Sequence, residues 1–306
     1  MDALLILRNI EVTAANAIAG LTWGFPAITH FLGFVHALER KLPPSLDVQF
    51  DGVGVVCHEH QIQAYQANSF ADHAFALTRN PLGKDGGSAS FNEEGRINMR
   101  ISLLIPIVGV LSGHDRDDLL KNIEQNLQTQ HLAGGLITNQ PRWQFIGNRL
   151  EERHRAIMYS LLPGFTLVSR HPLLQQEQAR LHQQGIDDAA LEAWLNFSRL
   201  TYRADTAEES EHTEWHLETK PDTGWLKPIT VGYRPIAPLH KAGAVGKTRD
   251  TTSPAAFVEN IYSIGEWMSP HRIKALGDMI WRYTQTPTGD YLCQNPYQPE
   301  LTNTAE

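Results

Sequence analysis

Two glycine-lysine loops carry the most nucleotide-like chemistry in the chain. The first, Arg79 to Ser90, runs RNPLGKDGGSAS and sets Gly83, Gly86 and Gly87 around Lys84. The second, His240 to Asp250, runs HKAGAVGKTRD and follows its Gly246-Lys247 pair with Thr248. A loop that cradles nucleotide phosphates needs G-x-x-x-x-G-K-[ST], a hydroxyl for Mg²⁺ and a helix whose first N–H groups converge on phosphate. The first loop has Asp85 in place of that hydroxyl and leads into a strand-like segment. The second has Lys241 in place of the leading glycine, Pro254 soon after, and no apolar strand running into it. Both patterns argue against nucleotide hydrolysis. Each still puts cations beside flexible backbone N–H donors, which suits the backbone of a polynucleotide; the plain alternative is a solvated hairpin tip. Candidate phosphate contacts are Arg79, Asn80, Lys84 and Arg96 around the first loop, and Lys247 and Arg249 in the second.

Other chemistry-bearing residues are weaker candidates. Cys57-His58-Glu59-His60 lies in a strand-like stretch, where His58 and His60 should share one face. Zinc needs a third and usually a fourth ligand, and no second cluster has that spacing, so a polar strand face is expected and no metal or other cofactor. Among 14 histidines, His30 and His36 fall on a helix, with no nucleophile–base pair legible; no catalytic residue is assigned. The stretch NAIAGLTWGFP places Asn16, Trp23 and Phe25 around a strand-to-helix turn. Unstacked RNA bases use such aromatic and amide groups. An apolar staple at the helix start competes for the same residues, so one of Trp23 and Phe25 should be core.

The elements that would hold these residues follow from periodicity. Ala3 to Leu7 is a buried strand, and Ile28, Phe31, Leu32, Val35, Leu38 and Leu42 form the stripe of an amphipathic helix after Pro26. A long strand is expected over residues 46–63, another over 73–79, and a third from Arg96, so the first glycine loop tops a hairpin spanning 79–96. Leu119, Leu120, Ile123 and Leu127 mark a second helix. A short helix over 150–162, a strand over 165–170 and a helical region over 173–203, broken near Gly185, come next. In that region Leu191, Trp194, Leu195, Ser198 and Tyr202 should share a face. Strands and turns close the chain, with 271–283 a final helix or mixed segment. The early order strand, helix, strand, strand, helix, strand is that of a ferredoxin-like α+β unit. Three regions are expected: 1–110, the N-terminal part of that core with its hairpin; 111–225, helical and loop-rich; and 226–306, the closing strands with the basic glycine loop.

Composition narrows the class further. With 306 residues and 42% apolar content, an ordinary buried core is expected. Two cysteines, no CxxC and no long apolar run point to a reducing, cytoplasmic, membrane-free setting. The formal charge of −8 argues at first against nucleic acid. Six of the acids lie within residues 205–218, which carry no Lys or Arg, and the rest of the chain is near −2 without them. That stretch is expected to be a linker or exposed loop.

Six ordered blocks carry a family resemblance: ANAIAGLTWGFP, FLGFVHALERKL, GVGVVCHEH, ALTRNPLGKDG, FNEEGRINMRISL and GAVGKTRD followed by FVENIYSIGEWMSPHRI. Together they resemble the family of second Csy subunits, the Cas-five-type RAMP proteins of the subtype I-F CRISPR surveillance complex. The resemblance implies a ferredoxin-like (RRM-like) RAMP core with an added β-hairpin, loop-rich subdomain. It implies a non-catalytic structural subunit that pairs with the large Csy subunit, meets the terminal backbone subunit and holds the 5′ handle of the CRISPR RNA. Target DNA would be met only through the assembled complex, where guide pairing reads the sequence. The competing readings are a RAMP endoribonuclease that processes repeat RNA, a nucleotide-binding enzyme and a purely protein–protein scaffold.

Overall fold

The structure is a computed structural model that describes residues 1–79, 81–127, 129–147, 149–206, 213–218, 224–248 and 250–298. Its first strand, β1 (Ala3–Asn16), is 14 residues long and runs well past the apolar start. Two bulges carry it, between Leu7 and Ile10 and between Val12 and Ala15. Asn9 (φ 52°) and Ala14 (φ 54°) adopt the left-handed backbone inside them. A bulge resets which residue faces which side, so the apolar pattern of the strand does not continue in one phase beyond Leu7.

Helix α1 (Ile28–Glu39) begins two residues after Pro26 and buries Ile28, Phe31, Leu32, Phe34, Val35 and Leu38, the stripe its spacing predicts. Strands β2 (Val53–Ile62) and β3 (Arg96–Val108) pair antiparallel, and β3 also pairs with β1. Helix α2 (Gly113–Leu127) buries Leu119, Leu120, Ile123 and Leu127, as expected. Two short strands, β4 (Gly135–Ile137) and β5 (Arg142–Ile146), then line the other edge of β1. The local strand order is therefore β4/β5–β1–β3–β2.

Beyond α3 (Leu150–Ser160) come β6 (Phe165–Ser169), α4 (His171–Gln183) and α5 (Ala189–Ser198), with Gly185 at φ 80° between the last two helices. The helical face expected through Leu191 and Tyr202 is different: Ala189 and Ala193 are buried, Leu191 is exposed and Tyr202 belongs to a strand. Small residues face inward because α5 sits close against Ile264 in a compact satellite cluster. Residues Tyr202–Thr206 and Thr213–Leu217 pair as a hairpin, so the acidic stretch contains strands where a linker or loop is expected; residues 207–212 lie outside the described part.

The closing strands are β7 (Trp225–Pro235), β8 (Val258–Met268), β9 (Ile280–Gln285) and β10 (Tyr291–Gln294). The segment expected as a helix or mixed element over 271–283 holds two short 3₁₀ turns and then β9. All these strands join one sheet of twelve among the described residues. Its path returns on itself, because β9 pairs back onto β2, giving the closed circuit β2–β6–β8–β7–β10–β9. Trp281 is fully buried there and donates its indole N–H to the Leu167 carbonyl at 2.8 Å. The buried pair Arg170–Glu266 ties the end of β6 to β8. The architecture is a mixed α and β fold built on one large antiparallel sheet with five α-helices among the described residues.

Candidate nucleic-acid interface

The two faces of the first sheet part company along β1. Leu5, Leu7, Ile10 and Val12 face the cluster under α1 and α2. Leu4 and Ile6 face the opposite side, where Ile157 and Met158 of α3 cover them. The next residue on that side is Arg8, at the point where α3 ends. Its guanidinium donates to Gln144 Oε1 (2.6 and 3.2 Å), to the Ser160 carbonyl (3.0 Å) and to Ser160 Oγ (2.9 Å). None of these acceptors carries a charge. Partial burial already pushes the Arg8 pKa down, because a low-dielectric setting disfavours the cation.

Directly across from Arg8 stands Arg142 of β5. Arg142, Gln144 and Ile146 alternate onto the same side as Arg8 and Ile6. The structure therefore sets two guanidinium groups on cross-strand neighbours, and no ion pair is formed by either one among the described residues. Like charges placed directly opposite destabilise a sheet. With Arg142 exposed and Arg8 half-buried, a pair of this kind is one that an anion relieves.

The same open face continues with polar groups held by one another. Arg100 of β3 reaches Asn9 Oδ1 (3.3 Å) and pairs with Glu59 (3.2 Å). His58 Nδ1 donates to the Pro163 carbonyl at 2.7 Å, and Ser102 Oγ lies 2.7 Å from His58 Nε2 while accepting the Asn9 N–H at 3.1 Å. Both ring nitrogens are engaged in a way that fits the neutral imidazole. Burial first, then the nearby Arg100 and Arg8 charges, push the His58 pKa down; the Pro163 carbonyl opposes them.

His58 and His60 do not share a face, contrary to strand alternation. The register with β3 slips between Arg100 and Ile101, a bulge at His58. His58 turns to Ser102, whereas His60 turns to the buried Cys57, 4.0 Å from its sulfur. Burial pushes the Cys57 thiol up to about 11, which keeps it protonated and unreactive.

Residues Leu77–Arg79 and Phe91–Glu93 pair with Arg79 opposite Phe91, so the first glycine loop does top a hairpin. Arg79 lies over the Phe91 ring at 4.6 Å. The loop amides turn inward: Gly83 N–H donates to the Gly87 carbonyl, Gly86 N–H to the Gly83 carbonyl, and Gly87 N–H to Asp85 Oδ1. They are spent on the turn itself, which leaves the exposed Lys84 side chain as the loop's contribution to a phosphate. Arg96 pairs with Glu94 and donates to the Ala14 carbonyl at 3.2 Å, so its charge is already met within the chain. Asn80 and Arg249 lie outside the described residues.

Of the two aromatic candidates, Phe25 is the core one. It stacks on Phe31 and meets Trp267 edge-on at 4.9 Å. Trp23 is 56% exposed and touches Phe75 edge-on at 5.5 Å, at the root of the arm that carries Arg79 and Lys84. The Asn16 amide closes a local turn, donating to the Ile18 carbonyl and accepting the Ile18 N–H. Lys247 is on a separate loop between β7 and β8, exposed, in a left-handed turn at φ 61° with no helix after it. The structure thus groups Arg79, Lys84 and Trp23 on one arm and sets Lys247 apart from them. Arg8 and Arg142 were not singled out from sequence. Each is an unremarkable arginine until the register between β1 and β5 brings them opposite. The signal in the sequence is a charged residue, Arg8, directly after the continuous apolar run Ala3 to Leu7.

Among the described residues no three His, Cys, Asp or Glu side chains assemble as a metal site, and no helix is long and apolar enough to cross a membrane.

Comparison with known proteins agrees in extent as well as in kind. The family model described as CRISPR-associated protein (Cas_Csy2) matches residues 5–293. A CRISPR-associated protein Csy2 of Pseudomonas aeruginosa (strain UCBPP-PA14) is 38% identical over 305 residues, covering 94% of this chain and 93% of that one. The match runs through β1, the hairpin arm, the closed circuit and both glycine loops, and the chain belongs to the Csy2 family of CRISPR-associated proteins.

Proposed function

We propose that this chain is a non-catalytic structural subunit of a type I-F CRISPR surveillance complex that holds the 5′ handle of the CRISPR RNA. The observation that carries the proposal is the Arg8–Arg142 cross-strand pair on the open sheet face, with no carboxylate to balance it among the described residues. A phosphate seated between the two guanidinium groups removes their repulsion and gains charge-assisted hydrogen bonds. The strand order β4/β5–β1–β3–β2, with α1 and α2 on the other face, supports a ferredoxin-like RAMP core. RNA-recognition modules use the open face of such a sheet. Asn16, Trp23, Arg79 and Lys84 extend the surface along the arm, and Lys247 adds a second approach.

The non-catalytic part of the reading rests on His58. On the open face its Nε2 meets the Ser102 hydroxyl, which is 1% exposed and so out of reach of an RNA phosphodiester. The partners are the large Csy subunit and the terminal backbone subunit, which the exposed apolar residues of the arm, such as Phe70 and Leu82, would meet. Target DNA is met through the assembled complex.

The test is binding of the full chain to a single-stranded RNA carrying the 5′ end of the processed repeat, over a salt series. Arg142→Ala should weaken binding and lower the slope of log K against log salt by about 0.7, the value for one single-strand phosphate contact. An unchanged slope would sink the assignment of this face. Appearance of a cleaved product that depends on a histidine would replace the structural reading with an endoribonuclease.

A further inference from the structure

A second site lies away from the open sheet face. An open pocket of ≈ 370 Å³ sits between α1, β7, β8 and β10, lined by Thr29, His30, Tyr233, Pro235, Val258 and Tyr291 among others. Three aromatic rings line it, those of His30, Tyr233 and Tyr291. Tyr233 and Tyr291 lie 6.4 Å apart, and Tyr291 stacks on Tyr283 at 5.2 Å with planes 10° from parallel. Polar groups also line it: Tyr233 OH meets Thr29 Oγ1 at 3.2 Å. His30 Nδ1 faces the Ala27 carbonyl at 3.3 Å. Burial favours the neutral ring, so His30 Nε2 is an acceptor, and it has no partner among the described residues. The nearby acid, Asp290, is buried and bound to Arg234, so it does not oppose an anionic ligand.

The wall of this pocket is also the root of the second glycine loop. The chain leaves the pocket at Pro235 and returns to it at Ala256 and Val258. The neck is closed by Ile236 N–H to the Phe257 carbonyl and by the His240–Ala255 bridge. Lys241 follows that neck directly and Lys247 lies further out; both are exposed, and neither forms an ion pair among the described residues. An aromatic floor with a few polar groups, next to a cationic loop, suits one ligand chemistry. A base enters and stacks, and its phosphates stay outside with the lysines.

We propose that this pocket holds one nucleobase of a single-stranded polynucleotide whose backbone runs along the Lys241–Lys247 loop. The proposal rests on the RNA-binding reading above and adds a stacking site to it. The base stacks on the ring of Tyr233 with Tyr291 beside it, and Thr29, Tyr233 OH and His30 Nε2 face its edge.

The experiment uses the full chain and an eight-nucleotide single-stranded RNA of the repeat-derived 5′ end, with 2-aminopurine placed at each position in turn, beside a DNA of the same sequence. One position should be quenched on binding. Tyr233→Ala should remove that quench and weaken binding about 5- to 150-fold, the range for loss of one base–aromatic stack. Tyr233→Phe should keep the quench. With 4-thiouridine at the quenched position, the unmodified protein should crosslink to a peptide containing Tyr233 or Tyr291, which needs no variant to fold. If Tyr233→Ala leaves quench and affinity unchanged and no crosslink maps to these tyrosines, the pocket assignment is overturned while RNA binding elsewhere stands. If only the DNA binds and is quenched, the pocket is kept and the RNA reading falls; if neither strand binds, both fall.

Discussion

One strand of this protein shows two kinds of surface. On one side of β1, Leu5, Leu7 and Ile10 are fully buried against α1 and α2. On the other, Leu4 and Ile6 are covered by α3, and Arg8 begins an open polar face. The covered side is held by burial and close packing, so it resists any change of volume. The open side carries a like-charge cross-strand pair and a bulge at His58, both of which cost stability. The difference separates what holds the sheet from what the sheet is held for. Residues on the first side should matter to folding and those on the second to binding.

The largest effect should come from the covered side. Phe31 is fully buried between α1 and the sheet and stacks with Phe25. Phe31→Ala should destabilise the chain by about 3–5 kcal/mol in denaturant unfolding. RNA affinity, measured where the variant is still folded, should not change. An affinity loss in the folded variant would break the separation of the two faces.

Arg142→Ala tests the opposite side and should move two readouts in opposite directions. RNA binding should weaken about ten- to a hundredfold if Arg142 makes a charged hydrogen bond to phosphate. Unfolding should show the variant unchanged or stabilised by about 0.2–1 kcal/mol, since the repulsion with Arg8 is gone. Destabilisation would mean that the guanidinium has a structural partner, and the pair would no longer point to an anion.

Sequence reading succeeded where signals are local. The α1 stripe from Ile28 to Leu38 and the α2 stripe from Leu119 to Leu127 are spaced as helices demand, and both helices stand where that spacing puts them. The glycine hairpin follows from flanking strand residues and a flexible tip. What was hidden depended on long-range pairing. Asn9 and Ala14 interrupt the period of β1, so its second half looks like a loop. The segment 271–283, expected as a final helix or mixed element, ends in a strand because Trp281 fills the closed circuit, and only β9 returning to β2 places it there. The candidate site divides the same way. Lys84 and Arg79 stand out as candidates from loop composition alone, whereas Arg8 and Arg142 meet only through register. The choice between Trp23 and Phe25 needed the packing of Trp267.

A pH titration probes the polar face more gently. His58 has its pKa lowered in the fold from an ordinary value of 6.5, chiefly by burial. The unfolded chain therefore binds more protons than the fold as pH drops through that value. The contribution to stability is complete above about 6.5 and is lost as pH falls toward the lowered folded value. His30, His36 and His171 shift in the same direction by the same main cause and add to the slope. Stability should thus decline from pH 7 to pH 5, and His58→Asn should make that decline shallower. An unaltered slope would show that burial of His58 is not what couples its protonation to unfolding.

The smallest effect on the fold should come from the arm, and it sharpens the comparison most. Arg79 and Lys84 are exposed, and the loop amides between Gly83 and Gly87 are satisfied within the turn. Arg79→Ala with Lys84→Ala should therefore leave unfolding within about 0.5 kcal/mol of the parent. If both side chains contact phosphate, the salt slope of RNA binding should fall by about 1.4, two single-strand contacts at about 0.7 each. If the slope holds while association with a neighbouring subunit weakens, the arm is a protein contact and the open face around Arg8 and Arg142 carries the RNA alone. Because the double variant changes charge on an element that does not pack into the core, a change in slope would reflect the interface rather than damage to the sheet.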